Sequence, residues 1–221
     1  MKIIISFLLL LLIGCSQNPL KGFGQSDIDI ITEIHAKNAL EILETLTVKL
    51  YKLNPNELKK NKKYNSYGEV ILDIFTNPVE IDKTGKKNIN MILKSFDVSY
   101  KDDRVYILMK GLHGMIKASY NYKESFYITD KKLNPQKLYN SARNIEVLIW
   151  RLSNTFNSNG KILLITNTFN NDKKNLSFER LFGKLIANQD ILSKSIASQE
   201  GRTIQKFAKR IASAIFLPIG I

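Results

Sequence analysis

The chain has 221 residues, carries 33 lysines and arginines against 20 acids for a formal net charge of +13, and contains a single cysteine. Charged residues at 24% and apolar ones at 44% are ordinary for a globular protein, which excludes an extended disordered chain, and the length suits one sizeable domain or two small ones. One cysteine excludes an internal disulfide and a multi-thiolate metal site, and the positive charge favours anionic neighbours without fixing a fold.

The first element is an apolar stretch. Lys2 precedes a run from Ile3 to Ile13 that only Ser6 interrupts, too short for the roughly 20 residues that span a bilayer. Residues 1–14 therefore read as a cleaved signal peptide. Its end, Leu12-Ile13-Gly14-Cys15, resembles the bacterial lipobox. That resemblance implies diacylglycerol on the Cys15 thiol, cleavage directly before it, and often a further acyl chain on the new amino group. Two or more chains anchor stably where one does not. The covalent lipid is the one non-protein group expected, with no small-molecule cofactor, no metal and no catalytic residue. Ser16 follows the cysteine where Asp does not, which resembles the outer-membrane sorting signal of enteric lipoproteins. The expected location is thus the bacterial envelope, lipid-anchored, on the outer membrane facing the periplasm. Loss of Lys2 takes the net charge from +13 to +12.

Residues 15–25 read as a short lipidated tether, and residues 26–221 as one domain. At ~3.5 Å per extended residue the tether holds the domain within some 30 Å of the membrane. Ser26 or Asp27 can cap a helix of about 24 residues whose inward stripe is Ile28, Ile31, Ile34 or His35, Ala39, Ile42, Leu43, Leu46 and Leu50. Leu53-Asn54-Pro55 and Leu133-Asn134-Pro135 are two helix starts, each with Asn as N-cap, Pro at the first helical position and a leucine staple. Glu57 takes the third place of a capping box. Residues 67–76 and 88–96 read as shorter helices, with the lysine clusters at 59–63 and 83–87 as exposed loops.

Asp102 or Asp103 can cap a further helix that turns Val105, Leu108, Met109, Leu112, Ile116 and Tyr120 inward. Gly111, Gly114 and Ala118 then offer a face for close approach by another helix. Glu124–Thr129 and Lys161–Thr166 read as extended core segments or a small two-stranded piece. Helices follow from Pro135 to about Asn157 and from about Leu176 to Ser198. A last one from Arg202 carries Ile204, Phe207, Ala208 and Ile211 and stops before Pro218. The expected fold is mainly α, a single multi-helix domain, with α+β as the alternative.

No serine-hydrolase elbow, zinc-protease helix, phosphate-binding loop or dinucleotide fingerprint occurs. Of the two histidines, His35 lies beside an apolar stripe and His113 between glycines, and neither has a carboxylate placed to single it out. A carboxylate pair of the kind glycosidases use arises only from tertiary contact, so an envelope hydrolase has no support in the sequence.

Two surfaces stand out instead. Tyr139, Arg143, Glu146 and Trp150 line a second face of their helix, either as a buried polar network or as a partner-binding spot, with Glu179-Arg180 able to join either. Arg202, Lys206, Lys209 and Arg210 form a basic face suited to anionic lipid or cell-wall polymer. The apolar tail from Ile211 to Ile221 can pack into the domain, lie in an interface or dock in a partner's groove. The runs Leu138-Tyr139-Asn140-Ser141-Ala142-Arg143-Asn144 and Leu176-Ser177-Phe178-Glu179-Arg180-Leu181-Phe182-Gly183-Lys184-Leu185 resemble helical proteobacterial lipoproteins of no assigned activity. The expectation for function is a non-enzymatic, membrane-anchored accessory factor that binds an envelope protein partner.

Overall fold

The protein is seen in a computed structural model that describes residues 24–82, 84–170, 173–205 and 215–220. The elements in chain order are helices α1 (Asp27–Leu53), α2 (Pro55–Lys60), α3 (Tyr67–Thr76), α4 (Lys86–Ser95), α5 (Arg104–Ser119) and α6 (Pro135–Asn154), strands β1 (Thr168–Asn170) and β2 (Lys173–Asn175), and helix α7 (Ser177–Gln199). The fold is mainly α, as the periodicity predicts. Its only ladder among the described residues is the antiparallel β1–β2 pair, with Phe169 opposite Lys174. That pair lies outside Glu124–Thr129 and Lys161–Thr166, the segments expected to be extended. Those segments satisfy their backbone through side chains, through single main-chain bonds such as that from the Ile128 amide to the Gly24 carbonyl, and through a lone bridge between Phe156 and Ile162.

α5 is the axis of the molecule. Thirteen of its 16 residues are buried, so it is a core helix with no polar stripe, and α1, α3, α4 and α6 pack around it. Asp103 caps it, accepting the Tyr106 amide at 2.9 Å and the Tyr51 hydroxyl at 2.7 Å. Gly111 and Gly114 admit α4 as expected: a Cβ at Gly111 would lie 2.8 Å from the Asn88 carbonyl oxygen, and one at Gly114 2.1 Å from Asn88 Oδ1. The buried Arg104 guanidinium holds the far end of α4, donating at 2.7 Å to the carbonyls of Ser95, Asp97 and Tyr100. Carbonyls at a helix C-terminus are a favourable seat for a desolvated cation.

α7 lies against α1 and α6, and a buried polar network joins all three to α5. Tyr120 donates to Gln189 Oε1 at 2.7 Å, and Gln189 Nε2 donates to Ser119 and Ser141. Asn188 donates to the His35 carbonyl at 2.9 Å and accepts from Asn38 at 2.9 Å. His35 Nδ1 meets the Asn188 carbonyl at 3.1 Å, so this histidine is a packing residue bridging α1 and α7.

Several local expectations change. Asn134 caps α6 as expected, whereas Asn54 holds the N-cap position of α2 without a side-chain cap hydrogen bond. Its amide pairs with the Ile165 peptide unit, accepting from the amide and donating to the carbonyl, each at 2.8 Å. Glu57 likewise turns away from a capping box to accept the Arg104 amide at 2.9 Å. The lysine clusters are not wholly loops, since Lys59 and Lys60 close α2 while Lys86 and Lys87 open α4. Cations at a helix start oppose its dipole, and Asp82 offsets this by accepting the amides of Gly85, Lys87 and Asn88. Ile31 and Ile34 of the predicted inward stripe of α1 are exposed.

The predicted last helix does not begin at Arg202. Gly201 sits at φ +61°, and the Arg202 amide donates to the Ala197 carbonyl at 2.9 Å, so both close α7 in a Schellman turn. Residues 202–205 and 215–220 are irregular. Among the described residues, no helix is long and apolar enough to cross a membrane.

Candidate functional site

A hollow of about 510 Å³ lies between α1, the end of α5 and the turn that follows it. Its floor is Ala36, Leu40, Ile116 and Tyr120, and its rim carries Ile34, Lys37, Lys117 and Lys123 against Glu33 and Glu124. Both the size and the apolar floor with few polar groups are those of a binding cleft. A second hollow of about 310 Å³ continues from it, sharing Leu40, Lys117 and Glu124 and extending past Phe75, Pro78 and Tyr122.

The turn over the cleft is strained. α5 ends in a Schellman turn in which the Tyr122 amide donates to the Lys117 carbonyl at 2.7 Å. Asn121 at φ +54° is an ordinary occupant of the left-handed position. Tyr122, directly after it at φ +59°, is not, because a bulky side chain there costs about 1–2 kcal/mol. Its hydroxyl holds it in place, accepting the Asp82 amide at 2.9 Å and Asn88 Nδ2 at 3.3 Å. The strain carries Lys123, Glu124 and Ser125 over the cleft. Strained backbone of this kind is characteristic of ligand sites.

The ionic groups at the rim are organised. Glu33 accepts the Phe126 amide at 3.0 Å and Gln25 Nε2 at 2.5 Å. The hydrogen bond from Lys117 at 2.8 Å holds the Glu124 carboxyl below its usual range. Lys123 pairs with Asp130 at 2.5 Å. Lys37 reaches only the limit of an ion pair, 4.0 Å from Glu41, with its side chain 81% exposed. It is the lysine most available to a ligand. His113 lies behind the adjoining hollow, packed on Phe75 with ring centroids 4.9 Å apart. Burial, helped by the nearby Lys117 charge, pushes its pKa down to about 4, so it stands neutral at physiological pH. No group of three metal-ligating side chains occurs among the described residues.

The polar face predicted on α6 forms an interhelix clamp. Arg143 binds Glu146 at 2.9 Å and Asp190 of α7 at 2.6 Å, and its guanidinium lies 5.0 Å from the Tyr139 ring centre. Burial raises the pKa of Glu146 against the pull of Arg143, with Asp190 adding to the rise. Three of the four predicted residues thus meet, and Asp190 completes them. Nothing in the sequence marks Asp190 except its place on the next long helix. Trp150, half exposed, stands further along α6. Glu179 joins elsewhere, accepting from Asn167 at 2.9 Å.

Of the predicted basic face, Arg202 pairs with Glu200 at 2.9 Å, while Lys206, Lys209 and Arg210 lie outside the described residues, as does Cys15. The tail is settled over residues 215–220, where it packs into the domain. Asn144 accepts the Leu217 amide at 2.6 Å and donates to its carbonyl at 2.9 Å, while Asn140 donates to the Pro218 carbonyl. Comparison with protein-family models, with curated proteins and with solved structures gave no match.

Proposed function

We propose that this chain is a lipid-anchored envelope protein, non-enzymatic, that seats a segment of an envelope protein partner in the cleft between α1, α5 and the 120–125 turn. The anchor rests on the resemblance of Leu12-Ile13-Gly14-Cys15 to the lipobox. The location follows from Ser16, on the outer membrane facing the periplasm. The single observation that carries the binding role is the cleft itself: an apolar floor under a strained, lysine-bearing turn, open at Lys37. The fitting segment presents an apolar side chain to Leu40 and Ile116 with a carboxylate beside it for Lys37.

Hydrolysis is the less favoured reading. Glu33 and Glu124 both line the cleft, but Glu124 is held ionised by Lys117. A glycosidase acid needs the opposite shift.

Photo-crosslinking in intact cells tests the binding role. A crosslinker at Ile34 is expected to capture one protein species, and Ala36→Trp, which fills the cleft, should abolish that capture. A crosslinker at Lys52, at the other end of α1, is the control. Equal capture from both positions, or capture that survives Ala36→Trp, refutes the assignment. The anchor has its own test. Cys15→Ala should abolish incorporation of labelled fatty acid and release the protein from the membrane fraction, and continued labelling would remove the lipidation site from Cys15.

A further inference from the structure

The end of the domain nearest the tether has surface properties of its own. Gly24, where the described chain begins, accepts the Ile128 amide at 2.8 Å, and Gln25 donates to the Phe126 carbonyl at 2.8 Å. The chain therefore leaves the domain beside the 126–128 loop. Gly24 lies nine positions after Cys15, a reach of at most about 30 Å. At this same end three large side chains stand in solvent: Ile30 on the first turns of α1, and Tyr127 and Ile128 on the loop. Ile30 precedes Glu33, which accepts the Phe126 amide, so helix and loop are tied together and the apolar groups share one end.

The charges here are sorted. Asp29 is held by Ser26, Asp130 by Lys123 and Glu200 by Arg202. Lys131 and Lys132, next to that loop, are exposed and make no ion pair among the described residues, and Asp27 at the start of α1 is an exposed acid. Exposed aliphatic and aromatic groups beside unpaired lysines suit the headgroup boundary of a bilayer, where apolar side chains enter shallowly and lysines meet lipid phosphates.

We infer that this end, formed by Ile30, Tyr127, Ile128, Lys131 and Lys132, lies directly on the lipid surface, so that the anchor fixes the orientation of the domain as well as its location. The inference rests on the anchoring proposed above and goes beyond it. It places the membrane contact at the start of α1, beside the Arg202–Glu200 pair, and turns the far end of α6 towards the aqueous side. Pro135 of α6 receives the Ser193 hydroxyl at 2.7 Å near the membrane end. Trp150 lies 15 residues further along the helix, some 22 Å away. The only tryptophan in the chain is therefore a built-in reference for the distal end.

The test uses the full acylated protein in phosphatidylethanolamine–phosphatidylglycerol vesicles with brominated acyl chains, which quench indole fluorescence only at close range. Trp150 in the unaltered protein is expected to be barely quenched. In the double variant Tyr127→Trp, Trp150→Phe the new indole should be quenched several-fold more strongly, as an interfacial burial of about 5–10 Å implies. Tyr127 is exposed, so the substitution leaves the core untouched. Adding Ile30→Glu and Ile128→Glu should abolish the difference without releasing the acylated protein from vesicles. A protein that carries its lipid and sediments with vesicles, yet shows equal quenching at both positions, overturns the orientation and leaves the anchor standing. A wild-type protein that takes up no fatty acid overturns the anchor, and the orientation with it.

Discussion

Two isoleucine-rich segments lie near the two ends of the described chain and meet opposite fates. Residues 215–220 have no regular structure, yet Leu217 and Ile219 are each 1% exposed. The first turns of α1 are regular helix, yet Ile34 is 61% exposed and Ile30 and Ile31 also face solvent. Apolar content is the same kind of signal in both, so it does not decide burial. What decides it is whether something satisfies the backbone of the segment once water is removed. Asn144 and Asn140 do this for the tail, supplying the donors and acceptor that a neighbouring strand would otherwise provide. α1 satisfies its own backbone and needs no such neighbour, which leaves its apolar surplus free to face a partner or a membrane.

The contrast is broken most directly at Gly85. It sits at φ +68°, and a Cβ there would lie 2.7 Å from the Gly220 nitrogen and 2.9 Å from the Ile219 carbonyl carbon. Both obstacles are backbone and cannot turn aside. Gly85→Ala should combine left-handed strain with overpacking and cost about 3 kcal/mol or more, read as a fall in the urea midpoint. An unchanged midpoint would mean that the tail's seat at Gly85 adds nothing to the fold.

The two histidines repeat the contrast. His35 bridges α1 and α7, only partly buried, whereas His113 is buried against Phe75 with its pKa pushed down to about 4. A depressed histidine pKa means that the unfolded chain binds the proton more readily. The stability this implies is complete above the unfolded value near 6.5 and is lost as pH falls towards 4, by about 2–3 kcal/mol. Asp73 and Asp82, both held below the usual carboxylate range, lose theirs only below about pH 4, so the windows separate. For Asp73, burial works upwards and is outweighed by hydrogen bonds such as that from Tyr106 at 2.9 Å. His113→Gln should flatten the unfolding free energy between pH 6.5 and 4. A slope that persists in the variant would assign the acid sensitivity to another group.

Asn144 tests the pinning itself. Asn144→Ala leaves the Leu217 amide and carbonyl buried without partners, at a cost of about 2 kcal/mol. Hydrogen exchange at Leu217 should quicken together with the loss of stability. Asn144→Asp keeps the acceptor alone, and is expected to fall between the two if the geometry at 2.6 Å and 2.9 Å governs the contact.

How far these features were legible in the sequence follows from their range. The 3.6-residue period and the helix-start signals together marked every helix from α1 to α7, because both are local: Asn134-Pro135 and Asp103 act within their own turns. The small face of Gly111, Gly114 and Ala118 was legible for the same reason, although its occupant, Asn88, was not. Asn54 shows the limit. It shares the Leu-Asn-Pro pattern with Asn134, yet it serves Ile165, 111 positions away. The clamp on α6 was half legible: Arg143 and Glu146 are neighbours on one helix, while Asp190 comes from another. The cleft was not legible at all, since its floor and rim come from α1, α5 and a strained turn that no local motif announces.

The smallest expected effect carries the comparison's sharpest consequence. If α1's exposed isoleucines are free of the fold, Ile34→Ser and Ile30→Ser should each shift stability by no more than about 0.5 kcal/mol, as surface substitutions do. Ile219→Ser, made in the buried tail, should cost several times that, since it removes a packed side chain and buries a hydroxyl. The same element exchanged for the same residue then gives two magnitudes, and the difference measures burial alone. Ile34 and Ile30 are expected to separate again in function: Ile34 lines the cleft, so its loss should weaken partner capture, while the exposed Ile30 belongs to the end proposed to meet the membrane, so its loss should lower quenching at position 127. If Ile30→Ser instead destabilised the fold as much as Ile219→Ser, that end of α1 would be packed rather than presented. The lipid-facing surface would then have to be sought elsewhere on the domain.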